Sequence, residues 1–324
     1  MKIIQASYEI LPRDNIRGDM PMIELAARTC YKSEAKDRAG SAERMTRHLI
    51  KSGHLSAVEH GAYVFEVTNE GLFGVIVRGL MMLRLYTAEP PRILATRIDD
   101  RMIISGNCRA WREMVQLSEN FVDGAGVVQY FIPYIDRAYI DDLCDVTNYG
   151  ADERIVQLYD VDLAGDPVNA MFHLRQTVRF IVDRGVSHEF VRHRVMSFSQ
   201  ESTRYCNYSQ DKYDNEITVI EPCFFEPGDD FHALWKRQCM SAESAYIHLI
   251  GLGAKPEEAR DVLPTSVKTE LIMTGTLAQW GMFFDLRAKQ LTGKAHPQAV
   301  EVALPLMHEM AGRFPAVFDV MSNA

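Results

Sequence analysis

The tripeptide Arg192-His193-Arg194 limits what this chain can fold into more than any other stretch. Successive side chains on a helix point about 100° apart, so Arg192 and Arg194 would diverge by roughly 200° and could not share one ligand. A segment with this sequence must end its helix and turn there, or serve two ligands or two subunits. The surrounding residues 185–209 add Arg204 and six Ser or Thr hydroxyls. Across 175–204, six arginines (175, 179, 184, 192, 194, 204) stand against three acids, Asp183, Glu189 and Glu201.

The chain as a whole carries a net charge of −9. A local guanidinium excess in an acidic protein points to a small anion held by fork-shaped donors, phosphate above all. The same balance argues against duplex nucleic acid or an anionic membrane as partner. With 324 residues, 47% hydrophobic and 24% charged, the chain can bury one large core or two modest ones. No window reads as a transmembrane span, and Met1–Ser7 has no apolar signal core. Six cysteines (30, 108, 144, 206, 223, 239) form no Cys-x-x-Cys pair, so reduced thiols in a cytoplasmic setting are expected.

Hydrophobic patterning gives an α+β chain, a central antiparallel or mixed sheet flanked by long helices. Strands are expected at 2–9, 62–68, twice within 92–105, and at 217–220. Helices are expected from Pro21 to Tyr31, from a Ser41 cap to Ser52, and over 70–86, 107–120, 168–183, 231–250, 266–289 and 297–311. Pro256 opens a further short helix, and Gly251-Leu252-Gly253 reads as a helix stop. Region 121–166 is weakly patterned. His54 and His60 lie six apart, which does not fit the i, i+4 spacing of a zinc helix. No metal site is expected; a loop entering a strand, with His54 and Ser56 lining a cleft, fits better. Cys223 follows Pro222 and precedes Phe224, and is read as a buried structural thiol. Asn107–Trp111 faintly echoes Thr276–Trp280.

Arg192-His193-Arg194, seven residues, Ser202, one residue, Arg204 resembles the signature of the flavin-dependent thymidylate synthases. The flanking Arg184–Glu189 and the internal Gln200–Tyr205 fit that family too, and Gly53–His60 is similar to its element beside the flavin. The resemblance implies a single domain over 1–324 with an enlarged insertion around 92–166. It implies bound FAD reduced by NADPH, 5,10-methylenetetrahydrofolate as one-carbon donor, conversion of dUMP to dTMP, and a homotetramer with shared active sites. His54, Ser56, Arg192, His193, Arg194, Ser199 and Thr276 match flavin-holding positions. Glu189, Arg192, Gln200, Glu201, Ser202, Thr203, Arg204, Arg260 and Arg287 match nucleotide-holding positions. Arg287 is the catalytic candidate, a permanent cation able to stabilise negative charge building up in the uracil ring. Ser202 is read as a hydrogen-bond donor to the nucleotide, not a nucleophile.

The chain departs from the family at Thr276, Ala278 and Met282, where relatives carry Asn, Arg and a polar residue. One lost charge-assisted hydrogen bond costs about 1.5–3 kcal/mol. Weaker FAD binding is expected, or compensation by Asn107 and Arg109. Two alternatives follow from the same departures: a flavin- and folate-dependent methyl- or hydroxymethyltransferase acting on another pyrimidine deoxynucleotide, or a flavin- or nucleotide-binding paralogue without turnover.

Overall fold

A computed structural model describes residues 1–12, 19–33, 38–86, 92–118, 125–163 and 165–323. The chain is α+β, but among the described residues the strands form two four-stranded antiparallel sheets and one parallel pair, not a single central sheet. Lys2–Ile4 (β1) and Ser7–Leu11 (β2), read as one strand from sequence, enter different sheets. Helices Met20–Tyr31 (α1) and Ser41–Lys51 (α2) follow. Gly40 takes the cap position of α2, and the Ser41 hydroxyl instead donates to Glu24 at 2.9 Å. Leu55–Val58 (α3) is one helical turn where a loop was expected.

The first four-stranded sheet is built from Ala62–Val67 (β3), Ile93–Ile98 (β4), Arg101–Asn107 (β5) and Ile155–Leu158 (β6), in the order β4-β5-β3-β6. Glu70–Tyr86 (α4) follows β3, and Cys108–Ser118 (α5) follows β5. Short turns Ala125–Val128 (α6), Arg137–Ile140 (α7) and Asp160–Leu163 (α8) fill the weakly patterned region. Turns α6 and α7 pack against one face of the sheet, where Phe131 and Tyr139 are fully buried with Phe65 and Trp111, while Leu163 of α8 packs with Val64 and Ile103. Phe65 meets Trp111 edge-on at 5.1 Å, a geometry favoured by ring quadrupoles.

The second half begins with Pro167–His173 (α9), then Arg175–Asp183 (β7), Arg184–Phe190 (α10), Ser197–Gln200 (β8) and Thr218–Ile220 (β9). Asp230–Gly251 (α11), Pro256–Ala259 (α12), Lys268–Thr276 (β10), Leu277–Arg287 (α13), Pro297–Arg313 (α14) and Pro315–Asn323 (α15) complete it. The second sheet runs β2-β7-β10-β8, and β1 pairs with β9.

Two long helices expected from sequence, over 168–183 and 266–289, are each split into strand and helix. Strands β7 and β10 lie side by side in the middle of their sheet, covered on both faces, so neither alternates. Their β-branched and aromatic content (Thr177, Val178, Phe180, Ile181, Val182) is the signal that outweighs the apparent 3–4 spacing. Helix α11 forms as expected, but its apolar stripe is only partly covered: Tyr246 is buried while Phe231 is 67% exposed. Cys223, expected in the core, is exposed. Burial and the nearby Glu301 carboxylate nevertheless push its thiol pKa up, which disfavours a thiolate nucleophile.

Gly106, at the end of β5, has no room for a side chain. An added Cβ would lie 2.3 Å from Ile93 Cδ1, 3.3 Å from Trp111 Nε1 and 3.5 Å from the Arg92 carbonyl. Overpacking at such a site costs about 1–3 kcal/mol. Gly106→Ala should lower the urea midpoint accordingly, and an unchanged midpoint in chemical denaturation would refute this account of the corner.

Candidate functional site

Helix α10 starts from an Asp183 cap that accepts from Val186 N at 2.7 Å, and it ends at Phe190. Arg192-His193-Arg194 therefore sit on the turn leading to β8, as the divergence of the two arginines on a helix requires. Arg192 and Arg194 are exposed, and among the described residues neither guanidinium has a hydrogen bond or ion pair. His193 turns inward, its ring edge-on to Phe283 at 5.0 Å.

Arg287, at the end of α13, closes on this turn. Its Nη1 donates to Glu189 Oε2 at 2.5 Å, Nη2 to the Glu189 carbonyl at 2.9 Å, and Nε to His193 Nε2 at 3.2 Å. A ring nitrogen that accepts from a guanidinium must be unprotonated. Burial, and then the charge of Arg287, lower the His193 pKa to about 4. The imidazole is neutral at physiological pH, with its proton on Nδ1.

A second group lies around β8 and the loop after it. Arg260 Nη1 reaches Thr203 Oγ1 at 3.5 Å, and Arg204 Nε reaches Glu257 Oε2 at 3.3 Å, so Arg204 and Arg260 border one surface. The Arg204 guanidinium also lies over the Tyr205 ring at 5.6 Å. Ser202 N donates to the Cys30 carbonyl at 3.1 Å, fastening this loop to the end of α1. Among the described residues, no hydrogen bond or ion pair joins this group to Arg287 within one chain.

Other candidates serve the protein's own interior. Glu201 is 2% exposed and takes Lys268 Nζ at 2.7 Å; Lys268 also binds Glu270, which in turn binds Lys32. Burial opposes the Lys268 charge, yet Glu201 and Glu270 more than offset it and its pKa is raised. Gln200 Nε2 donates to Ser187 Oγ at 2.8 Å. The buried Ser199 hydroxyl bonds His60 Nε2 at 3.0 Å. Thr276 is the cap of α13, its hydroxyl accepting from Gln279 N at 3.3 Å. Lys268 and Glu270 were missed from sequence because a strand misread as a helix hides which side chains turn inward, and Lys32, just past the end of α1, because its partner Glu270 lies on that strand.

His54 and Ser56 are exposed on α3, which lies against β8: Ser197 Oγ donates to the Glu59 carbonyl at 3.2 Å. The seam between α3 and the motif turn thus offers two open guanidinium groups, an imidazole and a hydroxyl. This donor set fits a flavin dinucleotide, whose diphosphate needs forked cationic donors and whose ring needs neutral ones.

The family model for thymidylate synthase complementing protein, Thy1, matches residues 14–78 and 166–316. A flavin-dependent thymidylate synthase from Pyrococcus furiosus is 34% identical over 130 residues, 40% of this chain and 51% of that protein. One from a Mycobacterium species is 27% identical over 156 residues, 42% of this chain and 58% of that protein. The chain spans about half the length of the curated relatives it matches. A solved UMP/dUMP methylase, PolB from Streptomyces cacaoi, aligns over 100% of this chain and 97% of its own, at 15% identity and a TM-score of 0.41.

The depressed His193 pKa has a testable sign. Below the ordinary value of 6.5 the unfolded chain binds a proton that the native state does not, so stability contributed by the neutral ring falls as pH drops from 6.5 to about 4. Histidine NMR titration of Arg287→Ala should show the His193 pKa moving up from about 4, part of the way to 6.5. A pKa unmoved by that substitution would reject the guanidinium as a cause. Through its two matched segments, which together cover most of its length, the chain belongs to the Thy1 family, thymidylate synthase complementing protein.

Proposed function

We propose that this protein is a flavin-dependent thymidylate synthase that methylates dUMP to dTMP in the cytoplasm, with FAD as cofactor and NADPH and 5,10-methylenetetrahydrofolate as co-substrates. The observation that carries the reading is Arg287, a permanent cation fixed by Glu189 on one edge and by the neutral His193 on another. Carbon 5 of uracil becomes a nucleophile only when negative charge builds up in the ring, and a pre-placed guanidinium stabilises that charge without giving up a proton. Glu189 holds the fork in register, and His193 fixes its third nitrogen without adding a competing charge. FAD, when bound, supplies the reducing equivalents that complete the methyl group. Arg192, Arg194, His54 and Ser56 would hold it at the seam of α3 and the motif turn.

Arg204 and Arg260 would take the nucleotide phosphate, with Ser202 and Thr203 donating beside them. Among the described residues no hydrogen bond or ion pair joins them to Arg287 within one chain, and sites completed by neighbouring subunits, as in a homotetramer, would bring the two groups onto one nucleotide. Gln200 and Glu201 would act from behind the binding surface, since their side chains are tied to Ser187 and Lys268.

Mass analysis of the product formed from dUMP, methylenetetrahydrofolate, NADPH and FAD, with dCMP offered in parallel, should show dTMP alone. Loss of the cation in Arg287→Gln should lower kcat by about 10²–10³. A hydroxymethylated product, or equal turnover of dCMP, would replace this reading with that of a sister enzyme.

A further inference from the structure

The faint echo between Asn107–Trp111 and Thr276–Trp280 is a structural repeat. At both places a strand runs Gly-Asn or Gly-Thr into a helix, and the polar residue caps it: Asn107 Oδ1 accepts from Ala110 N at 2.7 Å, Thr276 Oγ1 from Gln279 N at 3.3 Å. The next amide reaches back to the residue before the neighbouring strand, Cys108 N to the Gly61 carbonyl at 2.9 Å and Leu277 N to the Leu174 carbonyl at 3.2 Å. The buried indoles donate to equivalent carbonyls, Trp111 to Tyr63 at 3.3 Å and Trp280 to Gln176 at 3.1 Å. An added Cβ would strike Ile93 of β4 at Gly106, and Met196 beside β8 at Gly275. The sheets correspond strand for strand, β4-β5-β3-β6 with β8-β10-β7-β2.

Two buried histidines show how the copies are arranged. His60, after α3, crosses into the second sheet, where Nδ1 bonds Thr274 at 2.8 Å and Nε2 bonds Ser199 at 3.0 Å. His173, at the end of α9, crosses into the first sheet, where Nδ1 bonds Ser105 at 2.7 Å and Nε2 bonds Thr96 at 2.8 Å. Thr274 and Ser105 each stand two residues before the capping residue. Ser199 and Thr96 each stand three residues beyond Met196 and Ile93. Such a reciprocal exchange is the mark of an isologous twofold contact, here within one chain.

A twofold arrangement makes two equivalent seams, and their residues differ sharply. The seam of α3 with the motif turn has His54, Ser56 and Arg192-His193-Arg194. It also has Arg109, whose Nη1 donates to Glu59 at 2.8 Å while Ser197 Oγ donates to the Glu59 carbonyl at 3.2 Å. At the other seam, counting from the paired histidines sets Pro167 and Asn169 against His54 and Ser56. Counting back from Ile93 sets Glu89-Pro90-Pro91, which lie outside the described residues, against Arg192-His193-Arg194. Ala278 stands where the first copy has Arg109.

We infer that the chain is a fused pair of one ancestral strand–helix unit about an internal pseudo-twofold axis, with one working seam and one erased, and that Arg109 belongs to the working seam as a flavin-holding donor. The segment expected as an insertion is then largely the first copy. Two carboxylates position this guanidinium, Glu59 at Nη1 and Glu113 at Nε (2.7 Å), and among the described residues Nη2 has no partner. The assignment of Arg109 rests on the flavin reading given above; the internal repeat does not.

FAD titration of the intact protein, followed by flavin fluorescence with protein concentration fixed above the dissociation constant, tests both parts. One FAD per chain is expected, with Arg109→Ala binding about 10-fold or more weakly at an unchanged melting temperature. Ala278→Arg, at the erased seam, should bind as the parent does. Two FAD per chain, or unaltered affinity in Arg109→Ala, overturns the inference and leaves the flavin reading standing. A parent protein that binds no FAD overturns both. Should Arg109→Ala fail to fold, Arg109→Lys keeps the charge but cannot span Glu59 and Glu113, and unweakened binding by that variant overturns the assignment equally.

Discussion

An imidazole can be buried between sheets only if both of its nitrogens find partners, because each unpaired polar atom there costs about 1–3 kcal/mol. This constraint is met at two places, and both lie where the halves of the chain join. For His173 the chain of donors can be followed: the Thr96 hydroxyl donates to Asn169 Oδ1 at 2.8 Å, so it accepts from His173 Nε2, and Nδ1 is left to accept from Ser105. Burial, and then the charge of Arg175, lower the His173 pKa to about 4, in accord with this neutral tautomer. The relative placement of the two sheets, and with it the meeting of α3 and the motif turn, depends on these two crossings.

Charge is sorted with similar economy. The inner cations are paired where they stand: Lys268 and Lys32 with Glu201 and Glu270, while Glu189 holds the Arg287 guanidinium in place. Buried charges of this kind persist only when paired. Arg192 and Arg194 have no such partner among the described residues and remain exposed. An acidic protein that leaves two adjacent guanidinium groups open keeps a local attraction for anions that its overall field does not provide.

Much of the site was legible in the sequence because it depends on local rules. Arg192 and Arg194 cannot share a helix face, and α10 ends before them. Less was legible where an element is covered on both sides. Strands β7 and β10 lose alternation in the middle of their sheet, so 168–183 and 266–289 passed for helices, and the inward role of Glu201, Gln200 and Ser199 was hidden with them. The sequence echo at Asn107–Trp111 was too short to stand as a repeat. What identifies it is the set of equivalent hydrogen bonds, which no linear pattern records.

The two corners also separate what the fold requires from what binding requires. Both keep the glycine that lets the neighbouring strand approach, the cap that satisfies a helix amide, and the indole that ties helix to strand. These are requirements of packing, and each copy must meet them to bury its core. A cation at the third position is not among them, for Ala278 fills its place without disturbing the cap, the indole or the register. Arg109 is therefore surplus to the architecture, and it is tethered by Glu59 to the strand that follows the open guanidinium groups. Through Glu59, which bonds both Arg109 and Ser197, this extra cation is fixed beside the strand that follows Arg192 and Arg194, whose guanidinium groups are open among the described residues.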